Sequence, residues 1–78
     1  MNHLVRTLGY VKMVPVASTS IAAIGYENDT LDVAFATGPL YRYFGVPTAV
    51  HDDFLRAPSK GRYFSQFVRS RYGFTRLR

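Results

Sequence analysis

A histidine and two aspartates stand side by side at His51, Asp52 and Asp53, the nearest approach to a metal-binding or acid–base cluster in the sequence. The surrounding pattern predicts a helix, in which consecutive side chains point about 100° apart, so the three cannot converge on one ion. A triad of Ser18, His51 and either aspartate lacks the Gly-x-Ser-x-Gly turn that presents a nucleophile. We therefore expect no catalytic residue, no metal site, no cofactor and no enzymatic activity.

A second chemical feature is the sequence Ser59-Lys60-Gly61, which stands at the start of a predicted helix. A serine N-cap, free backbone N–H groups and a lysine are groups that can bind a phosphate. The segment lacks the glycine-rich spacing of a P-loop. A plain helix cap is therefore the favoured interpretation, and a phosphate contact is the alternative.

Positive charge is concentrated in the last third of the chain. All five acidic residues lie at or before Asp53, so residues 1–53 carry a formal charge of −2, whereas residues 54–78 carry +7 and contain no acid. Such a segment favours an anionic partner over a merely solvated helix face. The candidate contacts are six of its bases together with one arginine of a predicted strand: Arg42, Lys60, Arg62, Arg69, Arg71, Arg76 and Arg78.

Length and composition predict one small domain. Hydrophobic residues make up 47% of the 78 residues, enough for one core but not for a deep substrate cavity. The absence of cysteine excludes a disulfide framework and a thiolate zinc site. No apolar run approaches the ~18 residues of a membrane span, and Arg6 and Lys12 interrupt any signal-peptide core. We expect a cytoplasmic monomer without a membrane contact.

The apolar pattern predicts an α+β fold. Residues 21–26, 31–36 and 40–44 are strand-like, and the turn sequences between them predict a three-stranded antiparallel meander. Two helices follow, one from Pro47 to about Arg56 and one capped by Ser59, and both are expected on one face of the sheet. The predicted core contains Val33, Phe35, Phe54, Phe64 and Phe67, and Phe74 to Arg78 is expected to be a basic tail.

The register of the second hairpin decides where Tyr41 and Tyr43 point. A two-residue Gly38-Pro39 loop pairs Phe35 with Arg42, whereas one more loop residue pairs Phe35 with Tyr43 and turns Arg42 outward. Burying two tyrosines and exposing one arginine costs less than the reverse, so the longer loop is favoured. Stacking of Tyr41 and Tyr43 on nucleobases is the alternative to their packing in the core.

Residues 1–13 show no clean hydrophobic period. They are either an added edge strand or an arm that becomes ordered on a partner, with Leu4, Val5 and Arg6 as the candidate contacts. The domain itself is expected to span residues 14–78 and to fold without this segment.

A series of motifs occurs in a fixed order along the chain: Pro15-Val16 with the serine cluster, Ile24-Gly25-Tyr26, Leu31-x-Val33-x-Phe35, Gly38, Tyr41-x-Tyr43, Gly45-Val46-Pro47, Ala57-x-Ser59-Lys60-Gly61, Tyr63-Phe64, Val68-Arg69 and Tyr72. Their order and spacing resemble the KTSC domain, a short module found at the C-terminus of some lysyl-tRNA synthetases and as a free-standing small protein in bacteria and their phages. The resemblance covers roughly residues 14–77, and Pro58 departs from the expected pattern. The resemblance implies at most RNA binding.

Two functions of different class fit these observations. The first is a small non-enzymatic module that binds RNA or another nucleic acid through its basic C-terminal helix and tail. The alternative is a protein-interaction regulator, such as a phage-encoded protein, that docks on an acidic surface of the host transcription machinery, for example RNA polymerase, or of the translation machinery. Both use the same positive surface, and the family resemblance favours the first.

Overall fold

The computed structural model describes residues 11–78. Within this range, five strands follow one another across a single antiparallel sheet, each hydrogen-bonded to the next in the chain. The strands are β1 (Met13–Pro15), β2 (Ile21–Glu27), β3 (Thr30–Phe35), β4 (Leu40–Phe44) and β5 (Phe74–Arg76). Two helices, α1 (Thr48–Arg56) and α2 (Lys60–Phe67), lie between β4 and β5 in the chain. The predicted α+β class, the central meander and both helices are confirmed, although α2 ends at Phe67 and not at the expected Tyr72-Gly73.

Strand β5 corrects the prediction that residues 74–78 are a tail. Phe74 pairs with Tyr43, and Arg76 pairs with Tyr41, so the segment covers the edge of β4. Its aromatic and β-branched residues suit a strand. Because the pairing joins residues about thirty positions apart, the local pattern of three residues did not reveal it.

The loop between β3 and β4 is longer than either predicted alternative. Ala34 pairs with Leu40, so residues 35–39 have no partner in the ladder between β3 and β4, although Phe35 still pairs with Ile21 of β2. Gly38 in this loop adopts a φ of 122°. The backbone N–H of Phe35 donates to the carbonyl of Pro39 at 2.9 Å and closes this loop. Both predicted pairings of Phe35 are therefore wrong, because the loop begins before the Gly-Pro signal.

The predicted orientation of the two tyrosines is nevertheless confirmed. Tyr41 pairs with Val33 and Tyr43 with Leu31, which places both rings on the face that carries the helices. Tyr43 is buried and Tyr41 is half-buried. Core packing is thus the role of Tyr43.

The core lies between this face of the sheet and the two helices. It is one cluster of Ile21, Ile24, Leu31, Val33, Tyr43, Val46, Phe54, Phe64 and Val68. Phe35 is half-buried against it. Phe67 was predicted to be in the core but is 42% exposed, because it lies on the flank of α2, where its ring contacts Tyr63 at 4.8 Å.

Arg42 lies on the opposite face of the sheet, but the prediction that it is exposed is wrong. It is only 5% exposed, and it lies directly opposite Asp32, which is 2% exposed. Its Nε donates to Asp32 Oδ1 at 2.8 Å and its Nη2 donates to Oδ2 at 2.9 Å. This bidentate pair satisfies the two charges within the fold.

The ordered sheet starts before the predicted domain boundary at residue 14. Val11 is buried, and Met13 opens β1 opposite Gly25. A Cβ atom on Gly25 would lie 2.7 Å from Met13 Sδ, 2.8 Å from Lys12 O and 2.8 Å from Val11 Cγ1. Residues 11–13 therefore lie directly over Gly25. The candidate arm contacts Leu4, Val5 and Arg6 lie outside the described residues.

Helix α1 is attached to the sheet through Tyr26. The Tyr26 ring stacks on His51 with centroids 4.5 Å apart, and its hydroxyl donates to the Val46 carbonyl at 2.6 Å. Burial lowers the pKa of His51, and the charge of Asp52, whose Oδ1 lies 3.8 Å from His51 Nδ1, partly opposes this. His51 is therefore a packing residue that the fold holds neutral.

A methyl group on Gly25 should separate β1 from β2. We expect Gly25→Ala to lower the free energy of unfolding by about 1–3 kcal/mol, because the backbone oxygen of Lys12 cannot move without displacing the strand. Gly73→Ala is the matched control, since no atom lies within 4 Å of the position that its methyl group would take; its change should stay within about 0.5 kcal/mol. Urea unfolding measures both, and equal midpoints for Gly25→Ala and wild type would contradict the crossing of residues 11–13 over Gly25.

The stability of the domain should fall in mildly acidic solution. Because the pKa of His51 is lower in the folded protein than its unfolded value of about 6.5, the unfolded state takes up the proton first as the pH falls below that value. His51→Phe keeps an aromatic ring against Tyr26 but cannot titrate. Between pH 7 and pH 5 the urea midpoint of wild type should drop more than that of His51→Phe. Parallel profiles would show that His51 does not carry this linkage.

Candidate nucleic-acid interface

An open groove of about 930 Å³ runs between α2 and the strands β4 and β5. Its floor is aromatic, and its wall comes from α2 and the turn that follows it. The floor contains Phe35, Tyr41, Tyr43 and Phe74. This groove brings residues of the basic helix and of the tyrosine strand together on one surface.

Strand pairing and one helix residue assemble the floor. The ring of Phe74 lies 5.5 Å from the rings of both Tyr41 and Tyr43. At the inner end, the ring of Phe64 from α2 makes edge contacts with Phe35 at 5.2 Å and Tyr43 at 5.6 Å. The floor is therefore fixed by packing and needs no ligand to form.

The wall and rim are positively charged. Arg62, Ser65 and Arg69 follow at spacings of three and four, which places them on one side of α2 and its continuation, and all three line the groove. From the other side, the guanidinium of Arg76 lies 6.0 Å from the centre of the Tyr41 ring, within the range of a cation–π contact. Arg62, Arg69 and Arg76 are all exposed.

No described acidic residue lines the groove. Burial raises the pKa of Tyr43, and the neighbouring charge of Arg69 lowers it to a smaller extent, so the phenol stays neutral at physiological pH. The carboxylates of Asp29 and Asp52 lie near Tyr26, where burial first and their charges second raise the pKa of the phenol. The carboxylate of Asp53 pairs with Arg56 at 2.9 Å. The groove is thus a surface of one sign of charge.

The remaining basic candidates lie elsewhere. The ammonium group of Lys60 donates to the carbonyl of Ala57 at 2.7 Å, and the guanidinium of Arg71 lies 5.8 Å from the Phe67 ring centre. The carbonyl of Arg78 accepts the N–H of Leu40 at 2.9 Å and extends the pairing of β4 with the C-terminal segment. Arg42 is buried on the back of the sheet.

The favoured interpretation of Ser59 as a helix cap is confirmed. Its Oγ accepts the backbone N–H of Arg62 at 3.2 Å. A Cβ on Gly61 would lie 2.9 Å from Ser20 Oγ, so the glycine lets the loop before β2 approach the first turn of α2. This contact explains why a residue that weakens a helix stands in its first turn.

Sequence reasoning missed Phe74 as a groove residue. At 56%, it has the greatest exposed fraction of the large hydrophobic residues described. The three residues Phe74, Thr75 and Arg76 are too few to establish the alternation of a strand, so no local signal marked this residue.

The structure shows what Ser18 does in place of the catalytic role considered above. Ser18 Oγ accepts the backbone N–H groups of Ser20 and Ile21, each at 3.2 Å, and so caps its own loop. Within residues 11–78, no three histidine, aspartate or glutamate side chains are grouped so that they could hold a metal ion. In the same range, neither helix has the length and hydropathy required to cross a membrane.

Comparison with known proteins identifies the fold at the level of a family. The model of the KTSC domain matches residues 17–72. A crystal structure of a KTSC domain protein from Yersinia pestis is similar to this chain, with a TM-score of 0.81 and 33% sequence identity over 88% of this chain and 100% of that one.

Proteins of two kinds are similar to this chain in sequence. A lysine–tRNA ligase of Nostoc punctiforme is 39% identical over 59 residues, which are 73% of this chain but only 10% of the ligase. A small uncharacterized protein of Stutzerimonas stutzeri is 40% identical over 64 residues, 80% of this chain and 90% of that protein. The match to the family model, together with these relatives, shows that the chain belongs to the KTSC domain family.

Proposed function

We propose that this KTSC domain is a non-enzymatic binding module that binds RNA along the basic rim of its groove. The observation that carries the proposal is the convergence of Arg62, Arg69 and Arg76 on an aromatic floor that no described carboxylate borders. Within the described part of the chain, no acidic side chain pairs with any of these three arginines. The Nε of Arg76 donates to Arg78 O at 3.2 Å, and its terminal N–H groups remain to contact a ligand.

The chemistry of the rim suits phosphate. A guanidinium presents several N–H donors in a planar fork that matches phosphate oxygens, and it keeps its charge at all physiological pH values. Three such groups around one groove attract a polyanion over a distance of about 8–10 Å at physiological salt. An aromatic floor beside a positively charged track is the combination by which proteins bind single-stranded nucleic acids.

The name of one relative also supports RNA as the ligand. The relative in Nostoc punctiforme is named as a lysine–tRNA ligase, and the present chain matches a tenth of it. We infer RNA as the polyanion on this association and on the groove chemistry together. Docking on an acidic surface of the transcription or translation machinery uses the same charges and is the competing outcome of the experiments below.

The salt dependence of RNA binding tests the rim. With three arginines on phosphates, the slope of log K against log salt for a single-stranded RNA should be about −2, since each contact contributes about −0.7. Arg69→Ala should flatten the slope by about 0.7. Arg56→Ala is the matched control, because it removes the same charge from an arginine that pairs with Asp53 and does not line the groove; its slope should equal that of wild type. Fluorescence anisotropy at several salt concentrations measures all three.

Two results would contradict the proposal. If wild type shows no binding tighter than about 10⁻⁴ M at low salt, the chain lacks even the affinity of non-specific nucleic-acid binding. If Arg56→Ala flattens the slope as much as Arg69→Ala does, the net charge of the protein determines RNA binding and the groove makes no specific contribution. An affinity pulldown after nuclease treatment then tests the competing function, since a protein partner survives the nuclease and an RNA-mediated one does not.

A further inference from the structure

We infer that the groove accommodates one unpaired nucleobase, stacked against Phe74 beside Tyr41, and that the ligand is therefore a single-stranded nucleic acid. This inference rests on the proposed function, because the rim arginines must hold the phosphates on either side of that base. It goes further in assigning the aromatic floor a direct contact with the ligand.

The exposure of Phe74 is the first observation. The ring packs against Tyr41 and Tyr43 at 5.5 Å, tilted by 43° and 35°, and more than half of the residue remains open at 56% exposure. Tyr41 beside it is half-buried, and Tyr43 is buried beneath both. Among the aromatic rings of the floor, Phe74 is thus the most exposed, and its neighbours fix its position. A ligand that stacks on it does not have to order it.

The dimensions of the groove are the second observation. Its volume of about 930 Å³ lies within the range of about 300–1,000 Å³ that is typical of small-ligand sites. A nucleobase with its sugar fits such a space, whereas a base pair inside a helix hides its ring faces in the stack. Only a base that is unpaired and turned out of the strand can bring its ring face to Phe74.

The distribution of polar groups is the third observation. Arg62 and Arg69 line the wall formed by α2, and Phe74 lies on the floor opposite, so a strand with one base on the floor passes its phosphates along the arginines. The hydroxyl groups of Ser65 and Ser70 also line the groove and can bond base edges or the ribose. Because every base has a ring face, we expect little preference among bases.

Binding of short RNA oligonucleotides to wild type, Phe74→Ala and Phe44→Ala tests this contact. Phe74→Ala should weaken binding to a single-stranded oligonucleotide by about tenfold or more, the loss expected from one base–aromatic stack. Phe44 is the matched control, because it is 42% exposed and lies on β4 next to Tyr43, on the opposite face of the sheet. Phe44→Ala should bind as wild type does.

Two further ligands test the base without a variant of the protein. The first ligand is an oligonucleotide of equal length and charge whose residues are abasic. Wild type should bind it about as weakly as Phe74→Ala binds the intact oligonucleotide. Phe74→Ala and wild type should bind the abasic oligonucleotide with equal affinity. A duplex of the same sequence should bind wild type and Phe74→Ala equally. The abasic comparison on wild type decides the question even if Phe74→Ala fails to fold.

The failure of this inference is distinguishable from failure of the proposed function. If intact, abasic and duplex ligands bind wild type equally and with the salt slope of the rim arginines, the base contact is overturned and RNA binding stands. Equal weakening by Phe74→Ala and Phe44→Ala would overturn it as well. If wild type binds none of the oligonucleotides at low salt, the proposed function fails and this inference with it.

Discussion

The ring of Phe64 is the contact on which the arrangement of this domain depends. It lies 5.2 Å from the ring of Phe35, 5.6 Å from that of Tyr43 and 6.4 Å from that of Phe54, so it joins the sheet, α2 and α1 at one point. At about 100° per residue, a helix that turns Phe64 into the core directs Arg62 and Ser65 to one flank. The same rotation places Tyr63 and Phe67 on the other flank, where their rings contact each other at 4.8 Å. One buried ring thus determines which side of α2 becomes the basic wall.

The second constraint is the register of β3 against β4. The pair Asp32–Arg42 lies on the back of the sheet while Tyr41 and Tyr43 lie on the front, and a slip of one residue would exchange the two faces. Such a slip would move the guanidinium of Arg42 into the apolar core, where burial of a charge is costly. The ion pair and the tyrosines therefore favour the same register. That register brings the ring of Phe74 onto the groove floor, since β5 pairs with β4.

Local patterns were sufficient for the central part of the fold, where short apolar runs bounded by turn residues indicated β2, β3 and β4. They could not predict features that depend on pairing across the sequence, such as strand β5 or the burial of Arg42 opposite Asp32. For the candidate site, the sequence likewise predicted the positive charge but not the groove or the residues that line it. The acid-free last third indicated an anionic partner, but it gave no means of separating the groove arginines from Lys60, which bonds the carbonyl of Ala57. That selection depends on the packing of α2 against the sheet.

The edge of the sheet at β5 is poorly suited to pair with a further strand. Strand β5 is the last in the order, and an exposed edge can in principle accept a further strand. It is only three residues long, and it carries Arg76, with Arg78 just beyond it. Short length and positive charge are the features by which proteins prevent pairing at an edge. The same Arg76 lies over Tyr41 at the margin of the groove. Under the proposed function, the charge that discourages another strand at the edge also attracts a phosphate to the aromatic floor beside it.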